Sequence, residues 1–78
     1  MKVSTWADGF GNWHALVTEQ GIGDAQKAER RARYAIITEL SMREGPKFDP
    51  ERMTVRQVSR TSRDGELMTE FVEQWPED

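Results

Sequence analysis

The chain has no cysteine, a single histidine and little apolar mass, and each shortage removes a class of chemistry. Without cysteine there are no disulfides, no thiolate zinc sites and no cysteine nucleophile. One imidazole, His14, does not make a metal site of histidines, and no carboxylate set at ligand spacing stands near it in the sequence. As a general base it needs an orienting acid and a nucleophile, which the sequence does not place, so it reads as an ordinary strand histidine. The opening residues carry Trp6 and Asp8 where a leader has an apolar run, and nothing resembles a membrane span. The compartment expected is therefore the cytoplasm.

The third shortage concerns the core. In 78 residues, 36% of them apolar, there is room for one domain over the whole chain, and its core is thin. Near this size a single core supplies little surplus stability, so self-association is expected, as a homodimer through a sheet edge or an apolar patch. A deep pocket also needs more chain than this. The carboxylates Glu66, Glu70 and Glu73 lie in an acidic strand beside arginines, where ion pairing lowers pKa and opposes acid catalysis. The composition argues against an enzyme and implies no cofactor and no metal.

What is present is one long periodic segment. Over residues 24–44, Ala25, Ala28, Ala32, Ala35, Ile36 and Leu40 recur at the three- and four-residue spacings that share a helix face. Asp24 is a fitting N-cap after the turn at Gly23, and Gly45 with Pro46 ends the helix. The alanines predict that the helix lies close on a sheet whose strands supply the large core groups. At about 100° per residue, Lys27, Arg30, Arg31 and Tyr34 fall on the opposite side. That basic stripe reads either as a solvated face, with Glu29 and Arg33 as an i,i+4 pair, or as a contact surface for phosphate or an acidic protein. Glu39 falls near the apolar side, at a roll of the helix or at the sheet edge.

Strand signals flank the helix on both sides. Residues 2–7 and 13–18 predict a hairpin about Asp8, Gly9, Phe10, Gly11 and Asn12. Trp6 and Trp13 present too much aromatic surface to leave wet, which places one in the core and offers the other to an interface. Residues 53–60 and 66–75 predict a second hairpin, turning over 61–65 with Asp64-Gly65 as its strongest signal. Val55 and Val58 are out of phase, which predicts a bulge or an early strand end. Arg56 and Arg60 are in reach of pairing with Glu66, Glu70 or Glu73. Phe48 anchors the polar connection, and Pro76, Glu77 and Asp78 should fray. The fold expected is α+β: a two-layer sandwich, ββαββ, with one central helix on a four-stranded, mainly antiparallel sheet. Gly21 and Gly23 before the helix do not form a dinucleotide loop, because Gln26 stands at the third glycine position and Asp24 puts a negative charge at the phosphate.

Charge is segregated along the chain. Residues 1–26 carry Lys2 against Asp8, Glu19 and Asp24, a balance of −2. Residues 27–63 hold ten of the eleven bases against five acids, a balance of +5, and residues 64–78 hold six acids and no base, a balance of −6. Such a layout neutralises itself internally or selects partners by complementary charge.

The string Val3-Ser4-Thr5-Trp6-Ala7-Asp8-Gly9-Phe10-Gly11-Asn12-Trp13-His14-Ala15-Leu16-Val17, with Ala32-Arg33-Tyr34-Ala35-Ile36-Ile37-Thr38-Glu39-Leu40, resembles a group of small proteins of actinobacteriophages, chiefly those infecting mycobacteria. The resemblance implies an origin and a compartment, the infected bacterial cytoplasm, and no mechanism. A looser likeness, in strand order and alanine-rich helix, is to the amino-terminal domain of HicB-type antitoxins, which binds a partner protein. Two functions follow as expectations. The first is a protein-binding module using an open sheet edge, an aromatic patch of Trp6 and Trp13, or the stripe of Lys27, Arg30, Arg31 and Tyr34. The second is a nucleic-acid-binding module using Lys27, Arg30, Arg31 and Arg33 with Arg52, Arg56, Arg60 and Arg63.

Overall fold

The computed structural model describes residues 1–77. Strands β1 (Lys2–Ala7) and β2 (Trp13–Gln20) form the first hairpin, helix α1 (Ala25–Glu44) follows, and β3 (Thr54–Arg63) and β4 (Glu66–Gln74) form the second. Two single 3₁₀ turns, Gly45–Lys47 and Pro50–Arg52, connect α1 to β3. The sheet order is β1-β2-β4-β3 and every pairing is antiparallel. The architecture is thus the expected α+β arrangement, ββαββ, with one helix on a four-stranded sheet.

The helix begins and ends where its capping chemistry directs. The Asp24 carboxylate accepts the Lys27 amide at 3.1 Å, and Gly45, at φ +63°, donates its N–H to the Ser41 carbonyl. Ala28, Ala32, Ile36 and Leu40 are buried, four residues apart, while Ala25 is exposed and Ala35 half-buried. They pack with Ala15, Val17, Val55 and Phe71 from the strands and with Phe48 and Met53 from the connection. Small helix side chains permit close approach and the strands fill the space with larger ones. Arg33 does not join the exposed stripe. Its Nε donates to the Met53 carbonyl at 2.9 Å and a terminal nitrogen to that of Pro50 at 2.6 Å, strapping α1 to the chain entering β3 instead of forming the expected pair with Glu29.

Sequence expectations shift at four strand ends, the first being that of β3, which begins at Thr54 and not at Met53. The second turn is two residues long: Asp64 and Gly65 both take positive φ, +53° and +78°, the primed geometry whose twist suits a hairpin. Thr61, Ser62 and Arg63 therefore extend β3, opposite Met68, Leu67 and Glu66. β2 runs on to Gln20 because Glu19 and Gln20 find partners in Leu67 and Glu66. The predicted bulge is present: Gln57 pairs with Phe71 and Ser59 with Glu70, leaving Val58 as the extra residue. The register sets Arg56 opposite Val72 and Arg60 opposite Thr69, so neither directly faces the carboxylates expected for it. β4 ends at Gln74, and Trp75 lies edge-on to Phe48 at 5.8 Å, on the rim of this core. Pro76 and Glu77 are exposed and irregular, and Asp78 is outside the described residues. Among the described residues no helix is long and apolar enough to cross a membrane.

Candidate functional site: the open sheet face

Side chains alternate across a strand, so the residues between the core positions form the face that α1 leaves uncovered. The register orders that face in rows. Trp6, His14, Val72 and Arg56 make the first, Ser4, Leu16, Glu70 and Ser59 the second, and Lys2, Thr18, Met68 and Thr61 the third.

In the first row His14 is held from both sides. Its Nε2 lies 2.7 Å from Asp8 Oδ2 and its Nδ1 3.0 Å from Glu70 Oε2. Trp6 stacks on the ring, centroids 5.3 Å apart and planes 10° from parallel. Asp8 also builds the hairpin loop, its Oδ1 accepting the amides of Phe10 at 2.8 Å and Asn12 at 3.0 Å. A carboxylate at each ring nitrogen suits the doubly protonated imidazolium, which donates on both sides. Burial alone pulls the His14 pKa down, and the hydrogen bonds and charges of Asp8 and Glu70 outweigh it, so the net shift is upward. The hydrogen bond from His14, then those from the loop amides, hold the Asp8 carboxyl below its ordinary value.

In this arrangement both ring nitrogens are engaged by carboxylates. The Trp6 indole, 39% exposed, lies stacked against this doubly bonded ring. The sequence reading missed it because Glu70 is 56 residues from His14 and reaches it only through the β2–β4 pairing. Asp8, six residues before His14, was read only as a turn former, and its contact with the ring comes from the hairpin geometry.

No family model, no curated protein and no solved structure matches this chain.

The other candidate residues divide between surfaces. Trp6 and Trp13 do not form one aromatic patch: Trp6 pairs with His14 on the open face, while Trp13 is half-buried against the core with the Arg43 guanidinium 4.8 Å above its ring. Hairpin register separates them, since residues six and thirteen are not cross-strand partners. Lys27, Arg30, Arg31 and Tyr34 are all exposed on α1, Tyr34 at 71%. Arg31 and Tyr34, with Thr38 and Glu39, form one wall of a groove of about 290 Å³ whose other wall is Val3 and Thr5 of β1. Glu39 thus stands at the sheet edge, 3.9 Å from Arg43. Among the described residues no cluster of three or more histidine, cysteine or acidic side chains is arranged to hold a metal ion.

Proposed function

We propose that this chain is a non-enzymatic module, acting in the cytoplasm of an infected bacterium, that binds a host or phage protein through its open sheet face. The observation that carries the reading is Trp6 stacked on the doubly bonded His14 ring. A large aromatic side chain, half-exposed and stacked on a histidine pinned by two carboxylates, has the form of an interface anchor, rigid before binding and costing little further entropy. Leu16 and Met68, both half-buried, extend an apolar strip across the face, rimmed by Lys2, Arg56 and Glu66. The resemblance of the hairpin string to small phage proteins is consistent with a role in binding a macromolecule.

The test is capture from lysate of a mycobacterial host with three baits. The wild-type chain and the Lys27→Glu/Arg31→Glu variant are expected to retain the same protein, and Trp6→Ala to lose it with its fold intact. Retention by Trp6→Ala with loss by the helix variant assigns binding to the stripe and removes the open face.

The second reading is nucleic-acid binding, favoured by the exposure of Lys27, Arg30, Arg31, Arg56, Arg60 and Arg63. Against it, Arg31 lies beside β1 while Arg56, Arg60 and Arg63 lie on β3, three strand spacings away or roughly 14 Å. A salt titration with duplex DNA and RNA decides: steep loss of affinity with salt supports this reading, and no binding at low salt removes it.

A further inference from the structure

The two edges of the sheet are unlike. β3 carries the bulge at Val58 and the exposed Arg56, Arg60 and Arg63, devices that discourage strand addition. β1 has an unbroken register and Lys2 as its one charged residue. The Asp8 amide bonds the Asn12 carbonyl at 2.9 Å, which sets the phase of the ladder. Lys2, Ser4 and Trp6 thus turn their backbone groups towards β2, while Val3, Thr5 and Ala7 turn theirs outward, three donors and three acceptors in a row.

The flank beside this edge has a polarity. Helix α1 starts at the Lys2 end of β1, because the Asp24 amide bonds Glu19 Oε2 at 2.8 Å and Glu19 follows Thr18, the partner of Lys2. It finishes at the Ala7 end, because Arg43 lies over Trp13, the partner of Ala7. Lys2, Lys27 and Arg31 therefore mark one end of the edge, and Glu39 and Asp8 the other, where Arg43 lies 3.9 Å from Glu39 on the side of Trp13. A wholly acidic strand meets Glu39 and a wholly basic one meets Arg31, whereas an antiparallel segment with the same polarity satisfies both ends.

We propose that the occupant is a second copy of this chain, β1 pairing with β1 antiparallel about a two-fold axis at Thr5. In that register Val3 faces Ala7 of the second copy, Thr5 faces Thr5 and Lys2 faces Asp8, so every outward amide and carbonyl of β1 gains a partner. Arg31 comes opposite Glu39 of the second copy, twice by symmetry. Because α1 lies chiefly over β2, the two helices stand three strand spacings apart, roughly 14 Å against the 8–10 Å of direct helix contact. That gap takes Arg31, Tyr34, Thr38 and Glu39 from both sides. On the open face Trp6 becomes the diagonal neighbour of Trp6 of the second copy, within reach of aromatic contact. The dimer joins two sheets into one of eight strands, and the only edges left are the two bulged β3 strands.

Sedimentation equilibrium of the full chain, with amide hydrogen exchange, tests this. The wild type is expected at twice its 9.0 kDa mass, with the Val3, Thr5 and Ala7 amides protected in a concentration-dependent manner. Thr5→Pro, which removes an outward donor, is expected to remain folded and sediment as a monomer. If that variant does not fold, Arg31→Glu decides: it is expected to weaken the dimer roughly tenfold, and Arg31→Glu/Glu39→Arg to restore it. A wild type that stays monomeric to millimolar concentration overturns the proposal. So does a dimer unchanged by Arg31→Glu, or one that leaves the three β1 amides unprotected, since it then uses another surface.

Discussion

The two faces of the sheet are made by alternate residues of the same strands and put together by different means. Under the helix, Ala15, Val17, Thr69 and Phe71 pack with Ala28, Ala32, Ile36 and Met53, and apolar contact does the holding. On the other face, between those same residues, His14, Leu16, Met68 and Glu70 are half-buried, and long-range polar contacts, the Asp8–His14–Glu70 cluster and the Gln20–Glu66 hydrogen bond, do the fastening. The difference is one of means: apolar packing holds the covered face, and directional polar bonds set the ring against which Trp6 stacks on the open one.

Perturbations that treat the faces unequally test this division. The largest effect is expected from Ile36→Ala, which empties a wholly buried site and should cost about 3 kcal/mol of unfolding free energy in urea. Leu16→Ala on the open face is expected to cost less than about 1 kcal/mol, since the side chain is half-wet already. A comparable loss from both would end the distinction. Next comes Ala32→Leu. If the helix lies as close to the sheet as its alanines require, overpacking costs about 2 kcal/mol, and a neutral result in thermal melts means slack in the interface.

The open face should respond to pH in a way that the covered face does not. The folded His14 pKa is raised, so its stabilisation is complete below the unfolded value of 6.5 and is lost as pH rises through the folded value. Melting temperature is therefore expected to fall as pH rises above 6.5 through the folded value, and His14→Gln to flatten that fall. Asp8 has the opposite sign: its folded pKa is lowered, so its contribution is present above 3.8 and disappears as pH drops through the folded value. A chemical-shift titration of the imidazole checks the first directly, and a pKa at or below 6.5 contradicts the doubly bonded ring. The smallest effect is expected at Thr69, fully buried, whose hydroxyl has no hydrogen-bond partner among the described residues. Thr69→Val removes an unpaired polar atom at nearly constant volume and should be neutral or stabilising by up to about 1 kcal/mol.

Local signals carried most of the architecture. The helix boundaries followed from Asp24 and Gly45, whose chemistry acts within one turn, and the bulge from the broken phase of Val55 and Val58. The second turn came out too wide, because Thr61 and Ser62 are turn-compatible and strand-compatible alike, and only their pairing with Met68 and Leu67 decides between the two. The candidate site was half legible. Exposure of Lys27, Arg30, Arg31 and Tyr34 follows from helical periodicity. The separation of Trp6 from Trp13, the diversion of Arg33 to two carbonyls and the second acid on His14 all depend on contacts between segments far apart in the chain.

By itself the sequence determined the elements and their order: capping groups, turn residues and apolar period act over a few residues and select helix, strand and reversal without outside help. Only the tertiary structure decided that β2 takes β4 as its neighbour, and with that choice came Glu70 beside His14, a bare β1 edge and a fixed Trp6. The physical reason is that pairing between hairpins is paid for by closing a long loop around the helix, and its register depends on the packing of both sheet faces at once.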